Sequence, residues 1–293
     1  MTDAQRIDLL DPAEVARLGG IEIVAQGVVE GFLAGIHRSP FRGFSVEFTE
    51  HRAYQPGDEP RYLDWKMLAR SDRLFVKQFE EETNLRAMIL LDASRSMAWR
   101  GAPARLTKRA YGDRLSAALA LILLRQRDAT GLITFDEVVR QVIPARVKAG
   151  QWARLVRGLL DTPDGRGTAA QAALVHLTLL ARRGLVVLVS DLLFDRELAL
   201  TALRYLRHRG HQVVVVHLMD PAEAELAGPP EVRFRDPEST ASVVVRPREL
   251  AHVYAQTVRR EVAAWRSACR RHGIAYHHVL TDMPFGTALR LLA

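Results

Sequence analysis

The sequence predicts an α/β protein built on a doubly wound, mainly parallel β-sheet. Two observations predict it. From residue 86 onward, short apolar stretches alternate with longer segments of helical periodicity, which is the pattern of repeated βα units. The strands among them, above all 185–190 (LVVLVS) and 212–218 (QVVVVHL), are continuous apolar runs, as strands covered on both faces must be.

The elements follow in order. Residues 12–36 carry a broad apolar stripe near helical period, broken at Gly19 and Gly20, and predict two helices. Phe44, Val46 and Phe48 alternate with polar residues and predict a strand. Gln55-Pro56-Gly57-Asp58 is a turn sequence, with Asp58 placed to cap a short helix that holds Pro60 in its first turn and Trp65 facing inward. Leu74, Val76 and Phe79 predict another strand. The α/β part then reads as strand 87–91, helix 106–126, strand 131–135, a hairpin partner near 138–143, helices near 150–160 and 168–182, and strand 185–190. Helix 195–209, strand 212–218, a β excursion over 231–246, helix 247–271, strand 274–280 and helix 284–292 complete it. This divides the chain into an N-terminal helical and β segment, 1–84, packed on an α/β domain, 85–293.

Composition narrows the function. The 293 residues are 48% hydrophobic and 26% charged, as expected of an ordinary globular protein. The longest largely apolar run, 115–124, is well short of the roughly 20 residues a membrane-spanning helix needs. The first residues, MTDAQRIDLLDP, lack the basic start and apolar stretch of a secretory signal. One cysteine, Cys269, excludes a disulfide framework and a cysteine-based zinc site, and a cytoplasmic protein is expected. The net charge of +7 allows an anionic partner. Yet only four of the 41 basic residues are lysines, and the arginines are spread among acids without a block of like charge. Nucleic-acid binding through an arginine-rich surface is therefore the alternative and not the leading reading.

The informative stretch is 89–99, ILLDASRSMAW. A buried strand runs into Asp92, Ser94 and Ser96. In an extended loop alternate side chains point the same way, so three oxygens would converge. One carboxylate and two hydroxyls suit a hard divalent cation. Further donors must come from other loops at the same sheet edge. Thr168 follows Gly165-Arg166-Gly167 and opens a helix, and Asp191 ends strand 185–190. The competing explanation is helix capping, since Asp, Ser and Thr are common in strand-to-helix loops. Thr168 and Asp191 at matching loop positions favour a metal site.

Asp-x-Ser-x-Ser after a buried strand, a Gly-rich Thr loop and a strand ending in Asp together resemble the von Willebrand factor A domain and its metal-ion-dependent adhesion site. The resemblance implies that Ser94, Ser96 and Thr168 bind magnesium directly and that Asp92 and Asp191 act largely through water. Manganese and calcium are the alternative ions, and a partner's Glu or Asp completes the shell. The run GIHRSPFRGFSVEFTEHRAYQPGDEPRYLDWKMLARSDRLFVKQFEEETN, with HLMDPAEAEL, YHHVLTDMP and ALRLL further on, is similar to the signature of the domain-of-unknown-function-58 family. That resemblance implies a bacterial adaptor working with a MoxR-type AAA+ ATPase in a chaperone-like or complex-maturation role.

Other constellations weigh less. Arg52, Asp58, Arg61, Asp64, Arg70 and Lys77, with Tyr54 and Trp65, read as a salt-bridge lattice sooner than a docking surface. Glu80, Glu81 and Glu82 read as a solvated edge, because consecutive strand residues point to opposite faces. His272, His277 and His278 lack ligand spacing, and Cys269 reads as packing. No Gly-x-Ser-x-Gly elbow or phosphate-binding Gly-x-x-x-x-Gly-Lys loop occurs. Catalysis is not expected, and a metal-dependent hydrolase ranks behind both binding readings.

Overall fold

The computed structural model describes residues 25, 47–55, 63–71, 73–80, 85–101, 104–163, 165, 183–226, 230–235 and 242–292. The chain divides into two compact units, Phe41–Leu85 and the combination of Met1–Pro40 with Arg86–Ala293. The predicted helices over 12–36 and 168–182, the 56–62 turn with Asp58 and Pro60, and residues 81–84 lie outside the described residues, apart from Ala25, which is helical and buried.

In the smaller unit β1 (Glu47–Ala53) pairs antiparallel with β2 (Phe75–Glu80). Between them runs α1 (Trp65–Ser71). The Asp64 carboxylate accepts the Met67 backbone N–H at 3.1 Å, the capping arrangement that satisfies a helix's first donors. The inward orientation expected of Trp65 is not found. Trp65 is 63% exposed, because as the first residue of a two-turn helix it leaves on the solvent side while Val76 and Asp64 are buried.

The larger unit holds a six-stranded sheet in the order β10-β7-β6-β3-β4-β5. Its strands are β3 (Arg86–Asp92), β4 (Ala129–Phe135), β5 (Val139–Arg146), β6 (Leu185–Ser190), β7 (Gln212–Met219) and β10 (Ala275–Leu280). All neighbours are parallel except β4 and β5. β6 is buried at every residue, as a central parallel strand requires, whereas β5 alternates buried and exposed along its last four residues at the sheet edge.

Residues alternate between two cores. Met88 and Leu90 join Leu188, Val215, Leu203, Trp265 and Ile274, under α4 (Arg196–His208) and α6 (Pro247–Arg271). On the opposite face lies α2 (Lys108–Arg125), buried almost all round, as befits an internal helix. It approaches so closely that a Cβ at Gly112 would stand 2.9 Å from the Leu91 side chain. Tyr111 of α2 stacks on Phe285 of α7 (Phe285–Leu292), with ring centres 4.6 Å apart. The remaining elements are α3 (Gln151–Asp161), the single-turn α5 (Pro221–Ala224) and the hairpin of β8 (Val232–Arg235) and β9 (Ser242–Val245). No described helix is long and apolar enough to cross a membrane.

This topology positions a site. From β3 the chain moves to β4 on one side; from β6 it moves to β7 on the other. The carboxyl ends of β3 and β6, adjacent in the sheet, therefore open on the crevice where ligands of doubly wound sheets bind.

Candidate metal centre

Asp92 is the last residue of β3 and is fully buried. One of its carboxylate oxygens accepts the Ser94 backbone N–H at 2.8 Å. The other accepts the Ser190 hydroxyl at 2.6 Å. Ser190, at the end of β6, in turn accepts the Leu192 N–H at 2.9 Å. The two switch-point strands are thus cross-linked through Asp92.

The loop beyond Asp92 differs from the extended form expected. Ser94 caps a turn of 3₁₀ helix, Arg95–Ala98, and Ser96 lies within that turn. Convergence is achieved nonetheless: the two hydroxyl oxygens are 3.1 Å apart and both side chains are buried. A tight turn brings them together better than an extended loop would, because residues two apart in a strand stand about 7 Å from each other.

Asp191 lies just after β6 and is buried. Its neighbour Leu192 adopts a left-handed backbone, φ 56°, a strained conformation for a non-glycine residue and a frequent mark of functional loops. Thr168 lies outside the described residues. The start of its loop is described: the Gly165 N–H donates to the Ala93 carbonyl at 2.6 Å. A Cβ at Gly165 would stand 2.3 Å from an Asp136 carboxylate oxygen, so only glycine allows this approach. Gly165 therefore sits beside the Asp92 turn.

The electrostatics are unequal. The Asp92 carboxyl is pushed up from 3.8 to about 7, first by burial and then by the neighbouring Asp191 charge, against hydrogen bonds from Ser190 and Ser94. Asp191 has a cation: the Lys108 ammonium donates to it at 2.8 Å and to Glu223 at 2.5 Å. Burial disfavours the Lys108 charge, but Asp191 and Glu223 outweigh it and the net shift is upward. Glu223 is fixed by a capping box in α5, accepting the Asp220 N–H at 2.9 Å. Asp220 also accepts the Gly101 N–H at 3.0 Å. Among the described residues Asp92 has hydrogen-bond donors but no cationic partner.

A cavity of about 270 Å³ adjoins the site, with Lys108, Asp191, Leu193, Glu223, Tyr254 and Trp265 in its wall. His217, also in its wall, is held neutral: burial first and His278 second lower it to about 3. It is hydrogen-bonded through Nδ1 to the Tyr276 hydroxyl at 2.6 Å.

Four of the five residues singled out in the sequence, Asp92, Ser94, Ser96 and Asp191, thus meet at one crevice. Lys108, Glu223, Ser190 and Gly165 were not singled out. Asp220-Pro-Ala-Glu223 reads as a capping box in sequence, and Lys108 is one of only four lysines, but nothing local joins them across 115 residues. Of the charge lattice expected near residues 52–77, the structure describes Asp64 as a helix cap and Arg70 as exposed. Cys269 is buried and free, as expected of packing.

The fold is a mainly parallel six-stranded α/β sheet whose switch-point strands β3 and β6 end at Asp92 and Ser190, with Asp191 just beyond. The chain belongs to the family described as Protein of unknown function DUF58, whose model matches residues 50–264. An uncharacterized protein of Mycobacterium tuberculosis is 28% identical over 242 residues, spanning 80% of this chain and 74% of that protein. Among solved structures, the conserved hypothetical protein BatB from Bacteroides thetaiotaomicron is 16% identical, with a TM-score of 0.48 over 71% of this chain and 97% of its own. The SpRpn10 VWA domain is 12% identical, with a TM-score of 0.41 over 70% of this chain and 94% of its own.

Proposed function

We propose that this protein is a non-enzymatic, metal-dependent protein-binding adaptor. The observation that carries the reading is Asp92: a buried carboxylate beside a second carboxylate, with two hydroxyls at hand and no cationic partner among the described residues. Hard divalent cations take such oxygens, so the donor set fits magnesium, with manganese or calcium as alternatives. Ser94, Ser96 and Thr168 would hold the ion, with Asp92 and Asp191 in support. A bound ion would supply positive charge at the crevice mouth, which attracts a Glu or Asp of a partner protein.

The chain's own residues do the rest. Ser190 and the Ser94 N–H fix the Asp92 carboxylate in place. The 3₁₀ turn presents both serine hydroxyls together. The family resemblance supports a MoxR-type AAA+ ATPase as the partner, in complex maturation, and a cytoplasmic setting agrees with the single free cysteine.

Calorimetric titration of magnesium into wild type and Asp92→Ala, followed by capture of the AAA+ ATPase with magnesium or EDTA, tests this. Metal binding lost in the variant and capture only with magnesium are expected. Wild-type chain that takes up no divalent metal sinks the reading. Chelator-insensitive capture of nucleic acid, weakening steeply with salt, would favour the arginine-rich surface instead.

A further inference from the structure

We propose that Lys108 is a positioning residue for this site: a permanent internal counter-cation that offsets part of the Asp191 charge and so sets how tightly the crevice holds a divalent ion. The inference rests on the metal-binding reading above and concerns what that reading leaves unused.

Lys108 is an unusual side chain. It is completely buried although it stands in the first turn of α2, and lysines are almost never fully buried unless paired. Its ammonium bridges two carboxylates from different parts of the chain, Asp191 after β6 and Glu223 in α5. Position is imposed on it from both ends. At its base the Lys108 N–H donates to the Trp99 carbonyl at 3.3 Å, at the end of the turn that carries Ser94 and Ser96. At its tip Glu223 is immobilised by the capping box, and the Glu223 carbonyl accepts the Tyr254 hydroxyl of α6 at 3.0 Å.

The consequence is a division of labour between the two crevice carboxylates. Asp191 is partly charge-matched, sharing the ammonium with Glu223, so among the described carboxylates Asp92 offers an incoming divalent ion the fuller attraction. The remaining donors are neutral hydroxyls, and the bound ion keeps excess positive charge. Such an ion is held loosely by the chain itself and closed by an external carboxylate. Glu223 tunes the balance: by drawing on the same ammonium it leaves Asp191 part of its negative charge.

The two partners of Asp191 therefore make opposite predictions. Lys108→Met removes the positive charge and preserves the stem, and the full-length variant should bind Mn²⁺ about tenfold tighter than wild type, the scale at which residues behind metal ligands act. Glu223→Gln leaves the ammonium to Asp191 alone and should weaken Mn²⁺ binding. Lys108→Arg, which keeps the charge, should stay close to wild type. Affinity is read by electron paramagnetic resonance of free Mn²⁺, with melting temperature recorded in parallel. A merely structural ion pair would lower the melting temperature of Lys108→Met and Glu223→Gln and leave Mn²⁺ affinity unchanged, and that result overturns the proposal. So does a shift of both variants in the same direction. If Lys108→Met does not fold, Glu223→Gln decides alone, and unchanged affinity in it refutes the role. Asp92→Ala separates the two levels. Wild-type Mn²⁺ binding that Asp92→Ala abolishes, with the Lys108 and Glu223 variants unmoved, refutes the lysine role and leaves the metal site standing. No Mn²⁺ binding by wild type removes both.

Discussion

Replacing Asp92 with Asn tests the electrostatics of the crevice with little change in shape. Asn stands in for the protonated carboxyl, since its oxygen still accepts the Ser94 N–H. In the metal-free fold the Asp92 carboxyl titrates at about 7 instead of 3.8. At 1.36 kcal/mol for each pH unit of displacement, ionising it costs the fold roughly 4 kcal/mol. The direction follows from the sign. A carboxyl raised on folding makes its full contribution to stability below its unfolded value, and the contribution is lost as pH rises through the folded one. His217 runs the other way: lowered from 6.5 to about 3, it contributes fully above 6.5 and loses that contribution as pH falls. His211, His277 and His278 are lowered too, burial being the leading cause in each. These histidines act on wild type and variant alike, so the difference between the two isolates Asp92. In urea denaturation with EDTA, stability of wild type relative to Asp92→Asn should fall by roughly 4 kcal/mol between about pH 4 and about pH 8. A difference that stays flat across that window refutes the buried, uncompensated carboxylate and the reasoning built on it.

Other expectations follow from local geometry. Gly165→Ala drives a methyl group into Asp136 and the Ala93 carbonyl, and should cost about 1–3 kcal/mol in urea denaturation while weakening divalent-metal uptake. Arg127, exposed with φ 63°, should gain up to about 1 kcal/mol on replacement by Gly, since left-handed backbone is costly for other residues. Leu192→Gly relieves the same strain but empties a buried core position, and the loss of roughly 2–5 kcal/mol for a truncated core leucine dominates. Thermal melts of these two variants should move in opposite directions, and a stabilised Leu192→Gly would show that its side chain packs less than its burial indicates.

The sheet was legible because its signal is redundant. β3, β6 and β7 each carry an unbroken apolar run, and a strand buried on both faces has few other ways to look. Asp92 and Asp191 were legible for a related reason: in such a sheet the residue that ends a central strand has a predictable place. The shape of the Asp92 loop was not, because both extended and 3₁₀ backbone are open to Ala-Ser-Arg-Ser, whose residue types do not dictate either. Trp65 failed similarly. Its hydrophobicity argues for burial, but a large aromatic at the start of a short helix can face solvent. Lys108 was the hardest to see, since composition treats lysine as a surface residue and its burial depends on two acids remote in sequence.

The charges of the crevice differ between its two carboxylates. Asp191 and Glu223 share the Lys108 ammonium, and that cluster is locked by α5 and the start of α2. Asp92 is reached by a backbone N–H and a serine hydroxyl, which orient a carboxylate but do not cancel its charge. Hydrogen bonds to a buried carboxylate lower its pKa, yet here burial and Asp191 still raise it to about 7. The deficit is greatest at Asp92, on the side of the crevice where Ser94 and Ser96 present their oxygens, since Lys108 offsets part of the charge of Asp191 and Glu223. A divalent ion there would meet a charge that no described cation matches.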